Sequence, residues 1–329
     1  MLRSFSTSRR AVGLLGMATL GAALLPAGAT EPSWPTRPIR LVVPYSAGGG
    51  ADNAARILAQ RLGAGLQTQV IVDNRPGASG IIGANTVAKA AADGYAVLYD
   101  ASTFAVNPAL RKMPFSPTDD LVPVSLVLTV PNILVVSAKS PIADFRSFVE
   151  RARSSPGRVS FASYGAGSPA HLAGELLNRE AKTAMLHVPY KGGAPALADV
   201  MGGQVDAYFA NAGSALGYVQ SGQLKALAVT SRARMAALPD VPTVAESGFP
   251  GFEVLEWNGF FVPSGTPPRI VERLSQEIQA AVRDPATKTR LHKLGGDPVG
   301  GTPAEFSAFI AAQARRWGEL VKTNKITAE

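Results

Sequence analysis

Four segments, each where a predicted strand gives way to a predicted helix, carry residue types that hold small ligands. They span residues 44–52, 74–80, 163–170 and 187–195. All four combine glycine with hydroxyl-bearing side chains. Glycine lets a backbone approach a ligand closely, and the free N–H groups at the start of a helix attract anions. The pattern therefore predicts a hydrogen-bonding site for a small anion.

Several polar residues in and after these segments have two plausible roles. Ser168 either caps the helix that follows it or holds a carboxylate, because both roles use the same N–H groups. Arg75 either faces an anion or ties its turn together. Asp206 either accepts a hydrogen bond from a ligand or fixes the neighbouring loop, and Tyr190 offers a hydroxyl beside an apolar ring. The sequence leaves these alternatives open.

The same segments show no recognisable catalytic pattern. Ser79 is followed directly by glycine, so it does not lie in the G-x-S-x-G pattern of hydrolases. Ser168 and His171 have the spacing of a helix cap and its partner rather than of a nucleophile and its base. Residues 165–170 approach G-x-G-x-x-A, but the acid that a dinucleotide site needs after the next strand is missing. We predict no catalytic residue and no cofactor.

A metal site is not expected either. The chain has no cysteine, and its three histidines, His171, His187 and His292, are not spaced four residues apart on a helix. Zinc sites draw on several cysteine, histidine or carboxylate ligands at characteristic short spacings. The sequence therefore predicts no bound metal.

The composition is that of a folded and moderately basic protein. The 329 residues are 46% hydrophobic and 17% charged, which excludes a disordered chain and predicts about two domains. With 32 basic and 24 acidic side chains, the net charge is +8. The basic residues are dispersed rather than clustered with aromatic ones, so we do not expect nucleic-acid binding.

Residues 1–29 have the pattern of a signal peptide. Three arginines precede the apolar stretch 11–25, and small residues stand at the −3 and −1 positions before the predicted cleavage after Ala29. Residues 8–10 resemble a twin-arginine signal, but Val12 stands where Phe or Leu is usual, which favours the Sec route over Tat. We predict a periplasmic protein. Its mature part has a net charge of +5 once the three arginines are removed.

The rest of the chain alternates short β-branched runs with amphipathic stretches, which predicts an α/β fold with parallel strands. The predicted strands are 39–45, 70–72, 96–99, 159–163, 185–190, 205–210 and 224–230. The predicted helices are 52–62, 80–92, 144–153, 171–179, 194–201, 268–283 and a last one after Thr302, where Thr302 and Glu305 form a capping box.

Two long extended runs separate these units. Residues 124–138 are apolar and contain Pro131, which is poorly tolerated in a central strand, so we expect this run to cross between sheets. Residues 252–263 form the second run. Two crossings predict two doubly wound lobes joined by a two-strand hinge, with the ligand in the cleft between them. Lobe 1 would comprise residues 30–130 and 257–329, and lobe 2 residues 131–256.

Six motifs, in order along the mature chain, resemble the Bug-type substrate-binding receptors of tripartite tricarboxylate transporters. They are VPYSAGGGAD, DNRPGASGIIGA, YGAGSPAHLAGELL, HVPYKGGAPALADVMGGQVD, PTVAESGFPGFE and WNGFFVPSGTPP. The resemblance implies a type II periplasmic-binding-protein fold. The chain departs from the family pattern at Tyr45, where Phe is frequent in the family, and at Pro169, which removes one N–H donor.

The same resemblance implies which residues contact a small carboxylate. The contacts from lobe 1 would come from Tyr45, Ser46, Ala47, Gly48, Gly49, Ser79, Ser102 and Thr103. Those from lobe 2 would come from Gly165, Ser168, Tyr190 and Asp206.

The resemblance also implies a function. A monomeric receptor closes on its carboxylate and is then recognised by the membrane permease subunits of a tripartite tricarboxylate transporter. Two alternatives remain open at this level. One is a protein that presents the carboxylate to a signalling receptor, and the other is an exported hydrolase that uses Ser168 and His171.

Overall fold

Two sheets that share one long strand organise the part of the chain that the computed structural model describes, residues 34–327. The predicted signal peptide lies outside these residues. The strands are β1 (Ile39–Val43), β2 (Val70–Asn74), β3 (Ala96–Ala101), β4 (Leu121–Ser137), β5 (Ser160–Ser163), β6 (Leu186–Pro189), β7 (Ala207–Asn211), β8 (Leu224–Val229), β9 (Leu255–Pro263) and β10 (Asp297–Pro298). The helices are α1 (Gly50–Leu66), α2 (Ile81–Ala88), α3 (Thr103–Leu110), α4 (Phe145–Ser154), α5 (Pro169–Ala181), α6 (Gly193–Gly202), α7 (Ala212–Gln220), α8 (Pro268–Arg283), α9 (Pro285–Lys293) and α10 (Pro303–Thr323).

The first sheet has the order β2-β1-β3-β9-β4. β1 pairs in parallel with β2 and β3, as the alternation of strands and helices predicts. β9 lies antiparallel between β3 and the first part of β4, and β10 also pairs with β4. Because β1 and β3 run in the same direction, the turns that follow them leave the sheet at the same edge.

The second sheet is built on the other end of β4. β7 and β8 pair antiparallel with this end, and β5 lies in parallel between β7 and β6. Strands, helices and sheet directions together confirm the predicted α/β class.

Pro131 marks the point where β4 changes sheets. Residues up to Pro131 pair with β9, and residues from Asn132 onward pair with β7 and β8. Proline has no N–H to donate to a ladder, so it fits a position where one set of hydrogen bonds ends and another begins.

The chain returns from the second sheet to the first just before β9. The Val254 N–H donates to the Thr230 carbonyl at 3.0 Å, beside the end of β8, and Leu255 then pairs with Pro131. Between residues 34 and 327, both changes of sheet therefore occur side by side, as the two extended runs predict.

Amphipathic helices cover the sheets with the faces that their spacing predicts. In α1, Ala55, Leu58, Ala59 and Leu62 are all buried, and full burial of one leucine contributes about 1.5–3 kcal/mol. The capping box at α10 is present, with Glu305 N–H donating to Thr302 Oγ1 at 3.3 Å. None of the described helices is both long and apolar enough to cross a membrane.

Three helices are not expected from the sequence. α3 contains Pro108, and α7 contains two glycines, so their intrinsic helix propensity is low. Packing stabilises them instead, because Phe104 in α3 and Ala215 in α7 are buried. α9 has a side-chain cap, in which Asp284 accepts a hydrogen bond from the Thr287 N–H at 2.9 Å.

Candidate functional site

A buried acid lies at the carboxyl end of β3, beside the turn that follows β1. Asp100 is 2% exposed, and its Oδ1 accepts hydrogen bonds from the Tyr45 hydroxyl at 2.8 Å and the Ala101 N–H at 2.7 Å. The Tyr45 hydroxyl also lies 2.8 Å from Thr103 Oγ1. The structure therefore brings together Tyr45 and Thr103, two predicted site residues, around an acid that was not predicted.

A second acid links this region to the other sheet. The Ser102 hydroxyl, which follows β3, donates to Glu256 Oε1 at 2.6 Å. The Tyr164 hydroxyl, which follows β5, donates to Glu256 Oε2 at 2.9 Å. One carboxylate, at the beginning of β9, thus holds turns from both sheets. We refer to the whole group as the junction cluster; it consists of Tyr45, Asp100, Ser102, Thr103, Tyr164 and Glu256.

The electrostatics of the junction cluster follow from its shielding from water. Burial raises the pKa of Asp100 to about 7, although hydrogen bonds from Ala101 and Tyr45 oppose the shift. The negative charge of Glu256 raises it further. Burial also raises the pKa of Glu256, against the hydrogen bonds from Ser102 and Tyr164. Among residues 34–327, no ion pair joins either carboxylate to a lysine, arginine or histidine.

The glycine turn after β1 is fixed from inside the protein by Asp52. This side chain is 1% exposed and accepts hydrogen bonds from the Gly48 N–H at 2.8 Å and from Asn74 Nδ2 at 2.9 Å. The outer side of the turn, with Ser46, Ala47, Gly48 and Gly49, is exposed. Helix α1 then begins without a side-chain cap. Its N-cap residue, Gly49, therefore offers no side-chain acceptor to the first N–H groups of the helix.

Replacing Asp52 with alanine is expected to destabilise the protein by about 2 kcal/mol at pH 7, because buried donors lose their acceptor. Burial raises the pKa of Asp52, but hydrogen bonds from Arg56, Gly48 and Asn74 outweigh burial, and the pKa is lowered overall. A lowered pKa means that the carboxylate stabilises the fold above its ordinary pKa, and that this contribution fades in stronger acid. The difference between the free energies of unfolding of Asp52→Ala and wild type, measured in urea, should therefore shrink as the pH falls from 7 to 3. A constant difference would contradict this account.

The turn after β5 is organised by two histidines and by Ser168. Ser168 Oγ donates to the Gly165 carbonyl at 2.6 Å and accepts from the His171 N–H at 3.4 Å, so it caps α5. His171 Nδ1 accepts from the Gly167 N–H at 3.1 Å. These bonds give Ser168 and the His171 ring structural partners, and they do not form the nucleophile and base of a hydrolase.

The rings of His171 and His187 stack, with centroids 3.6 Å apart. His187 Nε2 lies 2.7 Å from Ser163 Oγ, at the start of the same turn. Burial lowers the pKa of His171 to about 3 and that of His187 to about 4. Both rings are therefore neutral at physiological pH and serve as packing and hydrogen-bonding groups. Among the described residues, no cluster of three or more histidine or acidic side chains is placed to hold a metal ion.

Three other predicted site residues form hydrogen bonds with residues that are not part of the junction cluster. The Tyr190 hydroxyl donates to Asp199 Oδ2 at 2.6 Å, and Asp206 Oδ2 accepts from the Ser160 hydroxyl at 2.8 Å. Ser160 begins β5, whereas Tyr164 follows its other end, so Asp206 lies at the far end of that strand. Ser79 has a left-handed backbone (φ 54°), and its carbonyl accepts from Asn107.

Four residues near the predicted site were not singled out from the sequence: Asp100, Tyr164, Tyr208 and Glu256. An acid directly before Ser102 and Thr103, at the end of a buried strand, was a signal for Asp100. For Glu256, the signal was a charged residue within the apolar run 252–263, in which Glu253 is the other acid. In both cases, a charge within a buried segment requires a partner or a function.

Comparison with known proteins gives a consistent result. A family model described as "Tripartite tricarboxylate transporter family receptor" matches residues 54–326. The protein BugT of Bordetella pertussis is 38% identical over 313 residues, which cover 93% of this chain and 96% of BugT.

Two solved structures are also similar. The R. palustris protein Rpa4515, solved with adipate, has a TM-score of 0.81 and 34% identity over 89% of this chain and 99% of its own. MatC from Rhodopseudomonas palustris, solved with bound malate, has a TM-score of 0.75 and 31% identity over 88% of this chain and 100% of its own.

Proposed function

Because the chain belongs to the tripartite tricarboxylate transporter receptor family, we propose that it is a periplasmic solute-binding protein that captures a small carboxylate and delivers it to membrane permease subunits. The fold supports this proposal, since similar proteins of known structure contain adipate or malate. The family description supports the delivery step. The protein would act as a monomer, after export directed by residues 1–29.

The observation that carries the proposal is the way the chain holds a carboxylate of its own. Glu256 accepts hydrogen bonds from Ser102 in one half of the molecule and from Tyr164 in the other. The turns after β3 and β5 therefore lie within the reach of one side chain. A ligand bound there contacts both halves at once.

Capture would proceed by closure of two lobes, residues 30–130 with 257–329 and residues 131–256. The chain passes between the sheets at Pro131 and again just before β9, and these two adjacent segments would form the hinge. A ligand that contacts both lobes only in the closed state shifts the equilibrium toward closure by its differential affinity.

The ligand's carboxylate would be held by the glycine turns. Helices α1 and α6 have glycine N-caps, Gly49 and Gly192, with no side-chain cap, whereas α4 and α10 are capped by Asp144 and Thr302. Uncapped N–H groups at a helix start stabilise a nearby anion, and they reinforce one another when two such helices face it.

The test is binding of carboxylates to residues 30–329, measured by calorimetry and by thermal shift. Adipate, malate and succinate would serve as probes, and a probe at 100 times its dissociation constant should stabilise the protein by about 2.7 kcal/mol. A Cβ added at Gly50 meets no atom within 4 Å and requires no unusual backbone, so Gly50→Leu adds an apolar side chain at the start of α1 where its first carbon is accommodated. We expect at least tenfold weaker binding for this variant.

Gly217→Leu provides the matched control, since Gly217 lies in α7 and also faces open space. It should bind as wild type does. The proposal fails if no carboxylate, with or without an amine, binds the wild-type protein. Equal loss of binding in both glycine variants would contradict the placement of the carboxylate at α1.

A further inference from the structure

Helix α10 joins the two halves of the molecule at a third place, in addition to Pro131 and the residues just before β9. In its first turn, Phe306 is fully buried, and its ring centroid lies 5.6 Å from that of Trp257 and 5.1 Å from that of Phe261, both in β9. The helix has 21 residues and is therefore about 31 Å long. Its other end contacts α5, which belongs to the half built on the second sheet.

The contact at that end is made by Asn324. Its side-chain NH2 group donates to Glu175 Oε2 at 2.9 Å and to the main-chain carbonyl of Glu175 at 3.2 Å. Since a main-chain carbonyl can only accept, the NH2 group and not the amide oxygen must face Glu175. The Glu175 side chain is 17% exposed, so this contact is largely shielded from water.

The backbone around Asn324 holds its side chain in place. Lys325 has a left-handed backbone (φ 51°), and the Ile326 N–H donates to the Val321 carbonyl at 3.0 Å. These two features form a Schellman motif, which ends a helix at a defined residue. Ile326 is partly buried and packs against the hydrophobic core. Asn324 is therefore fixed at the end of α10.

On α5, Glu175 and His171 lead from this contact to the turn after β5. Glu175 Oε1 lies 3.9 Å from His171 Nε2, which is too long for a hydrogen bond but places the carboxyl group beside the ring. His171 Nδ1 accepts from the Gly167 N–H, so the proton of the neutral ring is on Nε2. The neighbouring carboxyl group favours this tautomer, and only this tautomer leaves Nδ1 free to hold Gly167.

The turn that contains Gly167 also contributes to the junction cluster, through the hydrogen bond from Tyr164 to Glu256. Gly167 has a left-handed backbone (φ 76°), and a Cβ added there would clash with Cδ1 of Leu110 in α3. The turn is thus confined between α3 on one side and the His171 ring on the other. A small change in the position of His171 therefore changes how firmly the turn is held.

We propose that α10 acts as a strap that positions the turn after β5 for ligand binding, through Asn324, Glu175 and His171. Asn324 and Glu175 are positioning residues, which act by fixing α5 and the tautomer of the His171 ring. This inference rests on the function proposed above and adds to it how one ligand-binding turn is held. A looser turn must be ordered when the ligand binds, and the cost of ordering it lowers the affinity.

Amide hydrogen exchange of the ligand-free protein, followed by NMR at pH 7, tests the strap. Asn324→Ala removes both hydrogen bonds to Glu175, and we expect the Gly167 N–H to exchange at least tenfold faster than in wild type. The N–H of Leu58, which is buried in the middle of α1, is the internal reference and should exchange as before. A general loss of stability would accelerate both amides.

Two further variants sharpen the test. Thr323→Ala is the matched control, because Thr323 is exposed in the last turn of α10, directly before Asn324. It should leave the exchange of Gly167 unchanged. Glu175→Gln keeps an acceptor oxygen for Asn324 but removes the carboxyl group beside His171. It should therefore accelerate the exchange of Gly167 as well, although less than Asn324→Ala does.

Calorimetry with malate and adipate measures the consequence for binding. A probe that binds the wild-type protein should bind Asn324→Ala at least fivefold more weakly and Thr323→Ala equally well. Unchanged exchange of Gly167 in Asn324→Ala, equal acceleration of Leu58, or unchanged affinity would each overturn the strap, and the proposed receptor function would stand. If neither probe nor any other carboxylate binds the wild-type protein, the receptor function fails, and the exchange of Gly167 alone decides whether α10 holds the turn.

Discussion

Replacing Asp100 with asparagine is expected to stabilise the ligand-free protein by up to about 4 kcal/mol above pH 7, since each pKa unit corresponds to about 1.4 kcal/mol. Burial raises the pKa of Asp100 from 3.8 to about 7. An acid whose pKa is raised in the folded state favours folding while it is protonated. It loses that contribution as the pH rises from about 4 to about 7. Asparagine cannot ionise, so the stability of the Asp100→Asn protein should not decline through this residue between pH 4 and pH 7.

Asparagine also fits the local geometry. Both hydrogen bonds described for Asp100, from Tyr45 and from Ala101, end on Oδ1, which the asparagine side chain retains. Urea unfolding of both proteins at pH 4, 6 and 8 measures the effect. The two curves should nearly coincide at pH 4 and separate at pH 8.

Glu256→Gln is the useful companion, because the charge of Glu256 helps to raise the pKa of Asp100. In that background, Asp100→Asn should stabilise the protein less, and this non-additivity would show that the two carboxylates interact. A wild-type protein as stable at pH 8 as its Asp100→Asn variant would show that Asp100 is not held in a water-poor site.

Replacing Gly174 with alanine is expected to destabilise the protein by about 3 kcal/mol. A Cβ at this position of α5 would lie 2.1 Å from Cε2 of Phe161, a fully buried residue of β5. Overpacking a well-filled core typically costs about 1–3 kcal/mol, and it exceeds the gain of less than about 1 kcal/mol that alanine brings to a helix. Phe161 cannot move freely, because its ring stacks against His187 with centroids 5.1 Å apart.

Gly217→Ala is the matched control for this prediction. Gly217 is also a helical glycine, but nothing lies within 4 Å of a Cβ added there, so alanine should stabilise the protein by up to about 1 kcal/mol. A second substitution, Phe161→Leu, removes the clashing ring atoms. It should therefore lower the free energy of unfolding less in the Gly174→Ala protein than in wild type. Chemical denaturation of the four proteins measures both effects. Equal stability of Gly174→Ala and Gly217→Ala would refute the close packing of α5 on β5.

Gly174 matters for the site as well as for stability. The close approach of α5 to β5 fixes the turn from Ser163 to Ser168, in which Tyr164 faces Glu256. A helix displaced by one methyl group would shift that turn, so Gly174→Ala should also weaken carboxylate binding.

Local sequence patterns were sufficient for much of the fold. The spacing in α1, the capping box at Thr302, and Pro131 as the point where a strand changes sheets all depend on residues close together in the chain. The uncapped glycine turns, and the six motifs that indicated the family, are also local. Helices such as α3 and α7 were missed because their own residues do not favour helix, and contacts from elsewhere stabilise them.

The junction cluster depended on contacts that no local pattern contains. Glu256 is 154 residues from Ser102 and 92 residues from Tyr164, and they meet only because β9 returns to the sheet beside β3 and β4. Asp206 shows the converse, since it shares one sequence motif with Tyr190 but bonds to Ser160, at the end of β5 opposite to Tyr164, in the structure.

The sequence by itself therefore determined the family, most of the strands and helices, and the positions of the glycine turns. Only the tertiary structure decided which acids and hydroxyls lie together where the two sheets meet. The physical reason is that helix caps and amphipathic faces form between residues a few positions apart, whereas the charge of a cleft depends on the order in which distant strands pair. That order is what places Asp100 and Glu256 in one cluster.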